Sequence, residues 1–300
     1  MNILSKSTGI IKVIGRHLRS SVTMSSLAFK SLSVDVPKEF VYHVKFNRPE
    51  KRNAINHTMW LEIKDCFDKL SDDENCRAVV LSGEGMVFTA GIDLSDFLTT
   101  GAGIAKHEDI ARKAKILYKI IQTYQESLSS LELCKKPVLA AVHSACIGAG
   151  VDAISAADMR YCTKDSFFQV KEVEVGLAAD VGTLQRLPKI LGSDSLVREL
   201  CYTGRKMDAD EAFARGLVSK VYNNKEELIN GVLGIAEEIA SRSPVAIQTT
   251  KASLVYSRDH SVQEGLDHIK HLNQLYLQSE DLLKAATAQM TKEKPIFAKL

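Results

Sequence analysis

Asp180 is the first residue that suggests chemistry, because of the apolar stretch around it. The segment KEVEVGLAADVG covers residues 171–182, and between Val175 and Val181 its only polar side chain is Asp180. A carboxyl group in a small apolar pocket has a raised pKa, which suits proton transfer near neutral pH. Whether Asp180 lies in such a pocket depends on what the rest of the chain places beside it. The alternative interpretation is an N-cap for a helix that begins close to residue 183.

Two glycine-containing turns could supply backbone N–H groups that bind an anion. The segments AGID (90–93) and GAGVD (148–152) each fall where the pattern predicts the start of a helix. Neither fits the GxGxxG or Walker pattern, so neither indicates a nucleotide phosphate. Unpaired N–H groups at a helix start attract anions, and two of them aimed at one point form an oxyanion hole. Each turn taken alone is consistent with an ordinary helix start.

The surrounding sequence predicts the elements that position these residues, a mixed α/β pattern with a helical C-terminal third. Strands are predicted over 40–46, 77–83, 136–144 and, as two short strands, 159–170. Helices are predicted over 57–70, 104–133 and 225–242. Phe40, Tyr42, Val44 and Phe46 are expected on one face of the first strand. Ser261 and Glu264 form a predicted capping box for a long final helix.

Composition weighs against several classes of protein. Of the 300 residues, 45% are hydrophobic and 25% are charged, which is typical of a globular protein. The net charge of +2 gives no overall case for a nucleic acid or an anionic membrane as partner. The six cysteines form no CxxC pair, a pattern typical of reduced thiols in an intracellular protein. No apolar run approaches the ~20 residues needed to span a bilayer.

The two ends of the chain resemble targeting signals. Residues 1–34 contain no Asp or Glu, and Lys12, Arg16 and Arg19 share one predicted helical face. This pattern predicts a mitochondrial transit peptide, with a disordered basic tail as the alternative. The last three residues, Ala298-Lys299-Leu300, resemble the peroxisomal Ser-Lys-Leu signal. We therefore expect the mitochondrial matrix, the peroxisome or both as destinations.

The ordered motifs of residues 38–300 resemble the enoyl-CoA hydratase/isomerase (crotonase) superfamily. The matching segments are FNRPEKRNAIN (46–56), VFTAGIDL (87–94), KKPVLAAVHSACIGAGVD (135–152), DMRYCTKDSFFQVKEVEVGL (158–177) and GTLQRLPKILG (182–192). The resemblance implies an α/β fold, a crotonase-like spiral of ββα units over 35–230, with a C-terminal helical region over 231–300 that builds trimers. It also implies an acyl-CoA substrate, no metal or redox cofactor, and a homo-oligomer, either a trimer or a hexamer made of two trimers.

The resemblance assigns expected roles to residues of the two turns and of the RPEKRNA loop. The oxyanion hole of the family corresponds to the backbone N–H groups of Ile92 and Ala149. The family usually has glycine where this chain has Ala149, whose methyl group could crowd the thioester. Lys51 and Arg52 are candidates for the CoA phosphates, with solvated surface charge as an equal alternative. The expected substrate and CoA contacts are Lys51, Arg52, Ala54, Ala90, Gly91, Ile92, Asp93, Leu94, Ser95 and Ala149.

Three acidic residues decide which activity the resemblance implies. Family hydratases carry acids at the positions of Asp152 and Glu172 but typically glycine at that of Asp180. Aspartate at position 180 resembles the branch that converts 3,5-dienoyl-CoA to 2,4-dienoyl-CoA in the β-oxidation of unsaturated fatty acids. In that reaction Glu172 is the expected base at C2, Asp180 the acid at C6, and Asp152 a supporting acid. The simpler interpretations are a helix first-turn residue for Asp152 and a solvated strand residue for Glu172.

Two other functions remain open at this point. A 2-enoyl-CoA hydratase would use Asp152 and Glu172 to activate water and would have no need of Asp180. A crotonase-like protein that binds RNA without catalysis would need a basic helical face. The basic residues of 104–125 that could form it are Lys106, Arg112, Lys113, Lys115 and Lys119. The near-neutral net charge and the intact acidic residues argue against this second alternative.

Overall fold

A computed structural model describes residues 27–300, whose strands form two sheets. The strands are β1 (Leu32–Lys38), β2 (Val41–Phe46), β3 (Ala78–Gly83), β4 (Val138–Val142), β5 (Ala145–Ile147), β6 (Met159–Thr163), β7 (Phe167–Gln169), β8 (Met207–Asp208) and β9 (Val221–Tyr222). The larger sheet has the order β1-β2-β3-β4-β6-β9, and the smaller has the order β5-β7-β8. In the larger sheet only β1 and β2 pair antiparallel, and the other neighbours are parallel.

Eleven α-helices accompany these strands in the described part of the chain. They are α1 (His57–Asp72), α2 (Leu94–Ala105), α3 (Ile110–Leu133), α4 (Ala149–Ala156), α5 (Thr183–Leu191), α6 (Asp194–Thr203), α7 (Ala209–Ala214), α8 (Lys225–Ala240), α9 (Pro244–Ser257), α10 (Val262–Tyr276) and α11 (Glu280–Thr291). A 3-10 turn over Glu172–Val175 lies between β7 and α5. The last four helices follow the final strand, so the C-terminal part is helical as predicted.

The chain passes from the larger sheet to the smaller sheet twice, at β4–β5 and at β6–β7. β4 belongs to the larger sheet and β5, three residues later, to the smaller one, after which α4 follows. β6 and β7 repeat this alternation, and Thr89 bridges to Cys146 of the smaller sheet after β3. The predicted spiral of ββα units is thereby confirmed. Its consequence is that the turns after β3 and β5 reach the same side of the molecule.

The larger sheet is buried on both faces. Tyr42 and Val44 of β2 pack with α1, whereas Val41 packs with Val80 and with Leu228 of α8. The prediction that Phe40 shares a face with Tyr42, Val44 and Phe46 is wrong, because Phe40 lies before β2 and packs with the cluster of Val41. A parallel strand covered by helices on both sides buries alternate residues in both directions. The predicted capping box of Ser261 and Glu264 is confirmed, at the start of α10.

Several predicted boundaries differ from the structure. The sequence pattern missed β1, whose Ser33 and Asp35 interrupt the apolar run and lie on an edge strand. The predicted helix over 104–133 is two helices, because the chain breaks at 106–109 and Asp109 caps α3 by accepting the N–H of Arg112. Residue 230, the predicted end of the spiral core, lies inside α8.

The predicted transit peptide falls mostly outside the described residues. Residues 1–26 are not described, so the signal itself stays a prediction. Leu27 is buried in the core and β1 begins at Leu32. The folded chain therefore starts before residue 35, because these apolar side chains are covered by the body of the protein. Within 27–300, no helix combines the length and hydropathy required for a transmembrane span.

Candidate active site

A cavity of about 530 Å³ lies where the two glycine turns, α2, α3 and the 171–181 segment meet. One end of it is polar and contains Asp152, Glu172 and Asp180. The remaining wall is mostly apolar and is contributed largely by α2 and α3. Its principal side chains are Phe97, Ile104, Leu117, Ile120, Ile121 and Tyr124. A flexible apolar chain could lie along this wall and end beside the carboxyl groups.

The two glycine turns are in direct contact at the polar end. Gly91 has φ +91° and Gly148 has φ +52°, values that favour glycine. A Cβ atom added to Gly91 would lie 2.9 Å from the carbonyl oxygen of Ile147 and 3.8 Å from the Cα of Gly148. Only residues without a side chain permit this approach. The next residue after each turn glycine is Ile92 or Ala149, so their N–H groups are brought close together.

Neither of these N–H groups has an acceptor among the backbone hydrogen bonds of residues 27–300. Ala149 is the first residue of α4, where an N–H group has no partner within the helix. Neighbouring bonds hold the turns in place: Gly148 donates to Gln169 at 2.8 Å, and Ile55 donates to Gly91 at 2.8 Å. Ala149 has no positive φ. A side chain at this position therefore brings no backbone strain, and its N–H remains available.

Asp152 is fully buried on the first turn of α4. Its Oδ1 accepts the backbone N–H of Thr183 at 2.5 Å, and its Oδ2 has no hydrogen-bond partner. Burial raises the pKa of Asp152 to about 6, although the bonds with Thr183 oppose this change. The helix-start interpretation and a place in the cavity are both correct for Asp152.

Glu172 begins the 3-10 turn after β7, so the interpretation as a solvated strand residue is wrong. Its Oε1 would lie 3.1 Å from a Cβ atom on Gly148, and its Oε2 is buried without a partner. The carboxyl group therefore stands beside the turn that presents the Ala149 N–H. Burial and the charge of Asp152, with a smaller effect from Asp180, raise the pKa of Glu172 to about 7. A group with this pKa exchanges protons readily near neutral pH.

Asp180 lies in the same cavity on the irregular segment before α5. The side chain is exposed, and partial desolvation raises its pKa. The N-cap of α5 is Gly182, which provides no side-chain bond, so the N-cap interpretation of Asp180 is wrong. The carboxylate that binds the first N–H of α5 belongs to Asp152 instead. Asp180 is therefore free to face the cavity.

Seven of the ten expected substrate contacts line the cavity, and three do not. The cavity is lined by Arg52, Ala90, Gly91, Ile92, Asp93, Leu94 and Ala149. Lys51, Ala54 and Ser95 are outside its lining. Asp93 also has a structural role, because it pairs with Arg48 at 3.0 Å and accepts the hydroxyl of Ser95 at 2.7 Å. Lys51 and Arg52 are both exposed, which agrees with either a phosphate contact or a solvated surface charge.

Sequence reasoning missed the apolar wall of the cavity. Phe97 is 48% exposed and Leu117 45%, although both are large apolar side chains. The signal available in the sequence was the apolar character of α2, whose helical residues include none that are fully buried. Lys171 is a further lining residue that was not predicted. Its Nζ lies 3.5 Å from Glu174, at the rim of the cavity.

The two-sheet spiral, the paired turns and the acidic cavity define the crotonase class of protein. The family model described as enoyl-CoA hydratase/isomerase matches residues 37–299. This chain belongs to the enoyl-CoA hydratase/isomerase family. A crystal structure of an enoyl-CoA hydratase from Bacillus anthracis is similar, with a TM-score of 0.81, 25% identity, and coverage of 90% of this chain and 99% of that one.

Two curated relatives are more similar in sequence. The mitochondrial Delta(3,5)-Delta(2,4)-dienoyl-CoA isomerase of Homo sapiens is 54% identical over 87% of this chain and 79% of the relative. The peroxisomal protein of the same name from Arabidopsis thaliana is 44% identical over 87% of this chain and 93% of the relative. Their names agree with the predicted destinations, the mitochondrion and the peroxisome, and confirm that prediction.

Proposed function

We propose that this chain is an isomerase that converts a 3,5-dienoyl-CoA into the 2,4-dienoyl-CoA. The observation that carries the proposal is the presence of Asp180 in the same cavity as Glu172 and the two turn N–H groups. The 54% identity with a human dienoyl-CoA isomerase supports the same reaction. We propose no metal or redox cofactor, since the reaction moves one proton and leaves the oxidation state of the substrate unchanged.

The first step is removal of a proton from C2 by Glu172. The bonding pair of the C2–H bond forms a C1=C2 bond, and the carbonyl pair moves onto the thioester oxygen, which becomes the negatively charged end of a dienolate. The N–H groups of Ile92 and Ala149 stabilise this charge, because preorganised donors strengthen their hydrogen bonds as the charge develops. The raised pKa of Glu172, about 7, brings the base closer to the weakly acidic C2–H group than an ordinary carboxylate would be.

The second step is delivery of a proton to C6 by Asp180. The C1=O bond re-forms, the C1=C2 pair moves to C2=C3, and the C3=C4 pair moves to C4=C5. The C5=C6 pair takes the proton at C6, which gives the 2,4-diene. An acyl chain lying along the apolar wall would cover Asp180 and raise its pKa further, which favours the protonated form needed here. Asp180 then regains a proton and Glu172 loses one, so the enzyme returns to its starting state. The supporting role of Asp152 is to hold the first residue of α5 and to raise the pKa of Glu172 through its charge.

The apolar wall sets the direction of the substrate. With the thioester at the two turns, the acyl chain extends between α2 and α3, past Asp180. The CoA moiety then leaves the cavity at the side of Arg52 and Lys171, where cations can meet its phosphates. We propose Lys51, Ala54 and Ser95 as more peripheral contacts. The substrate is therefore an acyl-CoA, as expected for this family.

A homo-oligomer of three or six copies completes the proposal. The C-terminal helices expose large apolar side chains, among them Val262 at 82% and Met290 at 86%. Such residues on the surface of one chain are typical of an interface between copies.

The deciding experiment follows the ultraviolet absorbance of the purified chain with 3,5-octadienoyl-CoA and, separately, with crotonyl-CoA. A conjugated 2,4-dienoyl-CoA absorbs at longer wavelength than its isomer. We expect this band to grow rapidly and crotonyl-CoA to be hydrated slowly. Replacing Asp180 by Asn removes the proton donor, so isomerisation should fall by about 10²–10⁴-fold. Rapid hydration of crotonyl-CoA without the dienoyl band would favour the hydratase alternative.

A further inference from the structure

The segment that carries Asp180 has little support of its own. Residues 177–182 form neither helix nor strand, and the Asp180 side chain is exposed. Its carboxylate has no side-chain partner among residues 27–300. A proton donor must nevertheless stay within hydrogen-bond reach of one carbon atom of the substrate. Some other contact must therefore fix the backbone at this position.

That contact comes from α3. The Nε2 atom of Gln125 donates to the backbone carbonyl oxygen of Asp180 at 2.7 Å, across 55 positions of the chain. The helix is well anchored at this point, since Tyr124 stacks on Trp60 with ring centroids 4.6 Å apart. One turn later, the Ser127 hydroxyl donates to the Trp60 carbonyl at 2.6 Å. Gln125 therefore connects the irregular segment 177–182 to an anchored part of α3.

The same stripe of α3 also holds the far end of the segment. Ser129 and Glu132 follow Gln125 at helical spacing, and both accept hydrogen bonds from Arg186 of α5, at 3.0 and 3.1 Å. The Arg186 guanidinium fills the space beside Gly182, where an added Cβ atom would be only 2.0 Å away. One helix thus fixes both ends of 180–186.

We infer that Gln125 is a positioning residue that sets where the Asp180 carboxyl group meets the acyl chain. The inference rests on the proposed function. Gln125 itself is exposed and lies outside the cavity lining, so it acts through the Asp180 backbone. Its loss should affect proton delivery at C6 and leave proton removal at C2 intact, because Glu172 and the two turns are held by other contacts.

The test compares Gln125→Met with Gln122→Met in the full chain. Methionine keeps the length of the side chain and removes the N–H donor. Gln122 lies on the same helix, and its bond goes to Glu126 at 2.9 Å, away from the cavity. Two rates are measured: formation of the 2,4-dienoyl-CoA, and exchange of the C2 proton of the 3,5-dienoyl-CoA with deuterium from the solvent.

We expect Gln125→Met to lower the kcat of isomerisation by roughly 10- to 100-fold, since displacement of a catalytic group by about 1 Å has effects of this size. The KM, the rate of C2 exchange and the melting temperature should stay close to those of the unmodified chain. Gln122→Met should change none of them. An unchanged kcat for Gln125→Met would overturn the inference, and so would an equal loss of both rates, which indicates general damage.

An Asp180→Asn variant measured in parallel separates this inference from the proposed function. If Asp180→Asn keeps full isomerisation, the proposed role of Asp180 fails and the inference fails with it. If Asp180→Asn loses isomerisation while Gln125→Met retains it, the proposed function stands and the positioning role of Gln125 is wrong.

Discussion

The Oδ1 atom of Asp152 accepts the backbone N–H of Thr183 at 2.5 Å and thereby joins the first turn of α4 to the first residue of α5. The N-terminus of α4 presents the Ala149 N–H, and the segment before α5 carries Asp180. One buried carboxylate therefore couples the proposed oxyanion hole to the proposed acid. Its other oxygen, Oδ2, is buried without a partner and contributes a negative charge close to Glu172.

Replacing Asp152 by Asn should separate these two roles. The amide oxygen of Asn can still accept the Thr183 N–H, whereas the negative charge is lost. Since the charge of Asp152 raises the pKa of Glu172, the acidic limb of the pH–rate profile should move to lower pH, by roughly one unit. Asp152→Ala loses the hydrogen bond as well and should destabilise the fold by about 1–3 kcal/mol. An unmoved limb in Asp152→Asn would contradict the charge coupling.

The pH dependence of the unmodified chain follows from the state of Glu172. A base must be ionised, and burial together with the Asp152 charge raises the pKa of Glu172 to about 7. While the bound acyl chain keeps Asp180 protonated, the kcat of isomerisation should therefore rise with pH up to about 7 and fall by about tenfold for each unit below it. Stopped or continuous absorbance assays between pH 5 and 8 measure this limb. A rate that stays flat down to pH 5 would show that Glu172 is not the base.

Glu172 should also make stability depend on pH. Its pKa is raised in the folded chain, from 4.5 to about 7, so the folded state binds more protons than the unfolded state between these values. The free energy of unfolding should consequently decrease as pH rises through this window, by up to about 3 kcal/mol. In Glu172→Gln the side chain is neutral at every pH, so the free energy of unfolding should not decrease in this way. Denaturant unfolding of both chains at pH 5 and pH 8 measures their free energies of unfolding. If the two chains differed by the same amount at both pH values, the prediction would be wrong.

The sequence indicated which residues lie in the cavity better than it indicated the contacts that hold them in place. AGID, GAGVD and Asp180 could be recognised because each is a short local pattern, and all of them line one cavity. The bonds of Asp152 to Thr183 and of Gln125 to Asp180 cross 31 and 55 positions. No local periodicity encodes such contacts, since they depend on how α3, α4 and α5 pack. The apolar wall was missed for a related reason: half-exposed Phe97 and Leu117 resemble surface residues until the cavity is known.

The helices and strands also divide into those that the sequence predicts well and those that it does not. α1 and β3 were predicted correctly because their apolar residues repeat with clear periods. The split between α2 and α3 was missed because residues 106–109, KHED, are all compatible with a helix. The break becomes visible only through the Asp109 cap. Charged residues at a helix start act through specific hydrogen bonds, and these are weaker signals in a sequence than hydrophobic spacing.

Gly148 offers the most direct test of the contact between the turns and the base. A methyl group there would lie 3.1 Å from the Oε1 atom of Glu172, and the φ of +52° disfavours any side chain. Gly148→Ala should therefore displace both Glu172 and the Ala149 N–H. Because loss of one oxyanion donor alone costs about 10²–10³-fold, we expect the kcat of isomerisation and the C2 exchange rate to fall together by at least this factor.

The matched control is Gly234→Ala in α8, where an added Cβ atom meets nothing within 4 Å. Alanine in a helix interior is favoured over glycine by roughly 0.5–1 kcal/mol, so this variant should be slightly more stable and equally active. Gly148→Ala should lower both rates, whereas Asp180→Asn should lower isomerisation alone. The reason is that Gly148 lies beside Glu172 and the Ala149 N–H, the groups proposed to act on C2. If Gly148→Ala retained C2 exchange, neither Glu172 nor the Ala149 N–H could act on C2 as proposed.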